Sequence, residues 1–132
     1  MMDPQQELYT ALLTRLIQAY PGQIYDGDMP PEGTPYPFIY LGDTQQLADL
    51  QVKGAIFGRV AVDIHLWHDN PRKRGDLSLL LFQVKQLARS IGYTDSYGWC
   101  LAASDDNIRP DTSTGQVLMH AVLSLEFKHF WR

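Results

Sequence analysis

The sequence predicts a single-domain α+β fold over residues 1–132, ordered α-β-β-β-α-β-β, with a mixed or antiparallel sheet and two helices packed on one face. Three observations predict it. Arg59 to His68, RVAVDIHLWH, alternates Val60, Val62, Ile64 and Leu66 with Ala61, Asp63, His65 and Trp67, the period of two of a half-buried strand. Two stretches, Gln5 to Tyr20 and Arg72 to Ile91, repeat apolar residues at three- and four-residue steps instead. Val117 to Phe130 alternates again, with Met119, Ala121, Leu123, Leu125 and Phe127 on one side and His120, Ser124, Glu126 and Lys128 on the other.

Taken in order, Asp3-Pro4-Gln5-Gln6 starts the first helix. Asp3 is a capping residue, Pro4 suits the first helical position and Gln6 sits where a capping-box partner belongs. Leu8, Leu12, Leu16 and Ala19 share a side, and Pro21-Gly22 ends the helix. Gln23 to Asp26 is a short strand. Asp28 to Pro37 holds four prolines and is a loop. Phe38 to Leu41 is the second strand, ended by Gly42-Asp43. Thr44 to Gly54 is polar yet carries Leu47 and Leu50, so it reads as a loop or a partner-facing segment that orders on docking.

After the Arg59–His68 strand, which can begin as early as Ala55, Asn70 caps the second helix. Leu77, Leu80, Leu81, Val84, Leu87, Ala88 and Ile91 form its buried face, and Gly92 ends it. Tyr93 to Gly98 is a turn, Trp99 to Ser104 a strand, and Asp105 to Gly115 a hairpin loop before the last strand.

Charge and composition narrow the function. The chain is 45% hydrophobic and 20% charged, an ordinary globular composition. A net charge of -4 speaks against direct nucleic-acid binding, which needs a basic surface. The one cysteine, Cys100, allows no internal disulfide and reads as lying in an apolar setting. The first residues lack a basic and then apolar leader, and no run reaches the ~20 apolar residues of a membrane span, so a cytoplasmic product is expected.

Candidate chemistry is sparse. Asp63 and His65 share a strand face, half of a general-base dyad, but no nucleophile motif accompanies them. His65 and His68 fall on opposite faces, and His120 and His129 lie far along the chain, so no metal set is expected. No phosphate-binding glycine loop is present, and no cofactor is expected. Arg72, Lys73 and Arg74 sit in the first turn of a helix, where the dipole disfavours cations. Trp67 and Trp99 read as half-buried sheet aromatics.

PYPFIYLGD (Pro35 to Asp43), VDIHLWHD (Val62 to Asp69), the second helix and GQVLMHAVLSLEF (Gly115 to Phe127) together resemble the tail completion proteins of long-tailed bacteriophages and prophages, a family of tail terminators and head-tail joining proteins. The likeness runs over nearly the whole chain. The aromatic Tyr93–Trp99 turn and basic Arg72–Arg74 depart from the pattern. The resemblance implies a non-enzymatic structural protein, made in the host cytoplasm and carried at the head–tail junction. It implies a homo-oligomeric ring, usually a hexamer, that caps the head-proximal end of the tail tube. The tube protein and the head connector are then its partners. Gly42, His65, Trp67 and His120 match the pattern and look structural.

A ring needs contact surfaces. On a helical wheel, Leu79 and Phe82 fall opposite the apolar sector, among Ser78, Lys85, Gln86 and Arg89. They are expected to be a subunit contact, with Leu47, Leu50, Arg72, Lys73 and Arg74 as further interface positions. The rival readings are a small hydrolase using Asp63 and His65, and a nucleic-acid-associated prophage protein using Arg72–Arg74.

Overall fold

The computed structural model describes residues 3–52 and 55–132, with side chains undescribed at 48–57. Helix α1 (Pro4–Ala19) is followed by strands β1 (Ile24–Asp26), β2 (Phe38–Val52) and β3 (Ala55–His68). A 3-10 turn at Pro71–Lys73 leads into α2 (Arg74–Arg89), and β4 (Tyr97–Asp111) and β5 (Leu118–Trp131) complete the chain. The five strands form one mixed sheet in the order β1-β2-β3-β5-β4. Among the described residues, β1 runs parallel to its neighbour β2, and the pairs β2–β3, β3–β5 and β4–β5 are antiparallel. This is the expected α+β order.

Both helices lie on one face. Leu8, Leu12 and Leu16 of α1 and Leu77, Leu81, Val84 and Ala88 of α2 share a core with Ile39, Val60, Ile64, Leu66, Leu123 and Phe127. The spacing of three and four in the helices and of two in the strands delivers these residues to one side. At the α1 start, Asp3 accepts the Gln6 N–H at 3.3 Å, as its position predicts. The Gln6 side chain does not close a capping box; it turns along the helix to Thr10 Oγ1 at 3.1 Å.

Several expected boundaries give way. Thr44 onward is not a loop: β2 continues to Val52 in register with β3, through irregularities at Leu41/Thr44 and Leu47/Leu50. An extra residue at a bulge offsets the side-chain alternation, which hides the strand from a period-two reading. Gly54, the end of that expected loop, lies outside the described residues. Likewise Asp105–Asp111 is strand, paired from Asp105↔Ser124 to Asp111↔Leu118. Its polar residues fit an edge strand, which needs to be apolar only where it meets the core. Asn70 caps the 3-10 turn by accepting the Arg72 N–H at 3.0 Å, so α2 begins later than expected. Trp99 is buried rather than half-buried, its ring edge-on to Phe127, and Cys100 is exposed rather than set among apolar groups.

Gly42 sits in the first β2 irregularity. A Cβ there would fall 2.8 Å from the Asp63 carbonyl oxygen, a backbone atom that can move only with its strand. Gly42→Ala is therefore expected to cost about 1–3 kcal/mol of stability, the range for forced overpacking. Urea denaturation of the two proteins measures it, and equal midpoints would show that β2 and β3 part without strain.

Candidate functional site

Three surfaces carry the residues singled out by sequence. The first is the outer face of α2. Leu79 is 58% exposed and Phe82 57% exposed, while Leu77, Leu81, Val84 and Ala88 are buried beneath them. The wheel placement is thus what the fold shows, and two large apolar groups stand in solvent on a helix whose opposite side fills the core.

The second is the basic turn. Arg72 and Lys73 belong to the 3-10 turn and Arg74 opens α2; all three are exposed. Lys73 Nζ lies 3.6 Å from Asp76 Oδ2, a surface pair of small energetic weight. The turn and the Leu79/Phe82 patch therefore follow one another along a single rod. Leu47 does not join them. It pairs with Arg59 in the β2–β3 ladder and lies on the opposite side of the sheet from the helices, partly exposed. Leu50 pairs with Phe57, and its side chain lies outside the described ones.

The third is the sheet face that no helix covers. Asp63, His65 and Trp67 of β3 point there, with Phe38 and Tyr40 of β2 and Leu118, His120 and Ser124 of β5. His65 Nδ1 lies 2.9 Å from His120 Nε2, so the imidazole is engaged by a second imidazole rather than by Asp63. His120 in turn stacks on the Trp67 indole with ring centroids 3.7 Å apart and planes within 5°. The Tyr40 ring stands 6.2 Å from His65, and its hydroxyl donates to the Gly27 carbonyl. Among the described residues no acceptor reaches the buried Trp67 Nε1. Beside the stack, the proline-rich segment 29–36 and the β4–β5 turn enclose a cavity of about 220 Å³, walled by Pro30, Pro31, Tyr36, Phe38, Trp67 and Leu118.

Burial lowers the pKa of both histidines below the usual 6.5. Asp63 offsets part of this at His65. At His120 the neighbouring His65 adds to it, Asp111 opposes it and Arg109 adds a little more. The unfolded chain therefore binds protons more readily than the folded one. The stability this neutral pair contributes is whole above about pH 6.5 and is lost as pH falls through the lower folded-state values. The expected result is a urea midpoint that drops between about pH 7.5 and about pH 5, with a flatter profile in His120→Gln. An unchanged slope in that variant would assign the pH dependence to other groups.

Neither the histidine pair nor the cavity was visible in the sequence. His65 and His120 each stood out on the polar side of a strand, but only the β3–β5 register, Trp67↔His120, brings them together. His65 and His68 do fall on opposite faces, and His129 is buried on the helix side beside Tyr97 and Trp99. Among the described residues no three His, Cys, Asp or Glu side chains converge as a metal site would require. No described helix is long and apolar enough to cross a membrane.

The arrangement defines a class by fold: a small α+β sheet protein with helices on one side and an open, aromatic-rich sheet on the other. No protein-family model matches the chain, and no curated protein matches it. Among solved structures it is similar to a chain of the virion of a native gene transfer agent particle, with a TM-score of 0.53 and 14% identity over 97% of this chain and 93% of that one. At that identity the likeness is one of fold.

Proposed function

We propose that this chain is a structural virion protein that caps the head-proximal end of a long phage tail tube and forms the surface for head-to-tail joining. The observation that carries the reading is the end-to-end fold likeness to a chain from a gene transfer agent virion, a phage-like particle. It agrees with the motif resemblance, which spans the same length. The open α2 patch supports it: an aromatic anchor beside a leucine is the kind of centre around which subunit contacts are built. In this reading the chain's partners are further copies of itself in a ring, the tube protein below and the head connector above.

The test adds the purified chain to polymerising tail tube protein of the same phage or prophage. Tubes are expected to stop growing and to carry the chain at one end only, seen by gold labelling of a tag. Label along the tube wall, or tube lengths unaffected by the chain, would overturn the proposal.

A further inference from the structure

The cavity beside the Trp67 stack lies where four strands meet at one end of the sheet. There β2 starts at Phe38, β3 runs out past Trp67, β5 starts at Leu118 and β4 stops at Asp111. Tyr36, Phe38 and Trp67 supply its aromatic surface. The Tyr36 and Phe38 rings have centroids 5.3 Å apart, and the Phe38 and Trp67 rings 6.4 Å with planes 27° apart. His120 already covers one face of the indole, so the cavity meets what remains of that ring. Two carboxylates, Glu32 and Asp111, also line the cavity, and among the described residues no lysine, arginine or histidine does. Neither acid belongs to an ion pair among the described residues. Arg109, two positions before Asp111 on β4, gives its Nε–H to Asn107 instead, at 3.1 Å. Asp111 accepts the Ser113 N–H at 2.9 Å, which holds its carboxyl below the usual range and so ionised at neutral pH. The walls are preformed. Thr34 Oγ1 donates to the Pro31 carbonyl at 2.6 Å, across Gly33 with its φ of 89°. Pro30, Pro31, Pro35 and Pro37 leave this segment few alternative conformations.

We propose that this cavity is a socket for an arginine side chain of a partner protein, the guanidinium lying against Tyr36, Phe38 and Trp67 and facing Glu32 and Asp111. It rests on the reading of the chain as an assembly protein, and adds a second contact to the α2 patch on the other side of the sheet. The chemistry of the lining selects the occupant. An apolar side chain would strip water from two carboxylates and give them nothing in return. A cation is drawn both to the carboxylates and to the ring faces. Arginine suits the site better than lysine. Its guanidinium is planar, stacks on aromatic rings and offers several N–H groups to carboxylates, whereas an ammonium is compact and strongly hydrated. A space of about 220 Å³ takes one side chain, not a helix. The rim identifies the source as a protein. Met29, 55% exposed, and Val117, 44% exposed and next to Leu118, carry the apolar surface beyond the cavity. A free cation would leave that rim in water, while a protein surface bearing the arginine covers it. Arginine is among the residues that anchor interfaces by filling such pockets. The stiff walls keep the cost of ordering small.

The test titrates the isotope-labelled full chain with an end-blocked peptide, Gly-Val-Arg-Val-Gly, and follows the indole N–H signals of Trp67, Trp99 and Trp131 by NMR, with Trp67 assigned through Trp67→Phe. The Trp67 signal is expected to shift saturably while those of Trp99 and Trp131 stay. Binding is expected to weaken at least about tenfold when citrulline, the neutral isostere, replaces the arginine. The same loss, at least about tenfold, is expected in Glu32→Gln combined with Asp111→Asn. Asparagine keeps an acceptor for the Ser113 N–H, so the turn survives in that variant. No shift of Trp67 at millimolar peptide overturns the socket and leaves the virion reading standing. Equal binding of the citrulline peptide, or of one with leucine in place of arginine, shows an apolar groove and also overturns it. Methylguanidinium that binds as tightly as the peptide shows a site for free cations and overturns the assignment to a partner protein.

Discussion

On the proposed ring reading, Phe82→Asp combined with Leu79→Ser is expected to yield a folded monomer that does not assemble. Both side chains are more than half exposed in the single subunit, so replacing them removes nothing from the core. Surface changes of this kind usually move stability by no more than about 0.5 kcal/mol. Burying one large apolar side chain is worth about 1.5–3 kcal/mol, so losing two at a contact costs about 3–6 kcal/mol, or roughly a hundred- to ten-thousand-fold in affinity. The carboxylate adds a desolvation cost if it is forced into the interface. Circular dichroism reports the fold, light scattering the mass, and a head–tail joining assay the function. A double variant that unfolds would place this face in the core. One that assembles normally would put the contact elsewhere on the subunit.

Phe127→Ala is expected to be the costliest single change in the core. Phe127 is fully buried, pairs with Val60 across β3 and with Leu101 across β4, and takes the edge of Trp99 with centroids 6.2 Å apart. It therefore links the central strands to the β4 edge. Truncating a buried phenylalanine costs about 3–5 kcal/mol, the lost transfer free energy plus the cavity left behind. Against a total of about 5–15 kcal/mol for a domain, that is a large fraction. Urea denaturation at neutral pH measures it. A loss under about 1 kcal/mol would mean that β4 collapses onto β3 and fills the space.

The parts of the fold legible in the sequence are those where burial imposes a period. Val60 to Leu66 and Met119 to Phe127 alternate because a helix layer covers one face of each strand. Leu8, Leu12 and Leu16 recur because α1 lies on that face. The strands that ran longer than expected are those whose far ends leave the core. In β2 the irregularity near Gly42 offsets the alternation, and in β4 the edge position lets Asp105, Asp106 and Asn107 stand in a strand. Of the interface positions, Leu79 and Phe82 were readable because an apolar residue in the polar sector of a wheel contradicts the pattern around it. The His65–His120–Trp67 stack was not, because strand order β3-β5-β4 is a long-range choice that neither strand encodes alone.

Cryo-electron microscopy of the head–tail junction of the intact particle tests the central claim most directly. The account predicts a ring of this chain at the head-proximal end of the tube, the helix patch of Leu79 and Phe82 covered by a neighbouring subunit. A junction built wholly from other chains, in particles where mass spectrometry finds no copy of this one, would contradict it.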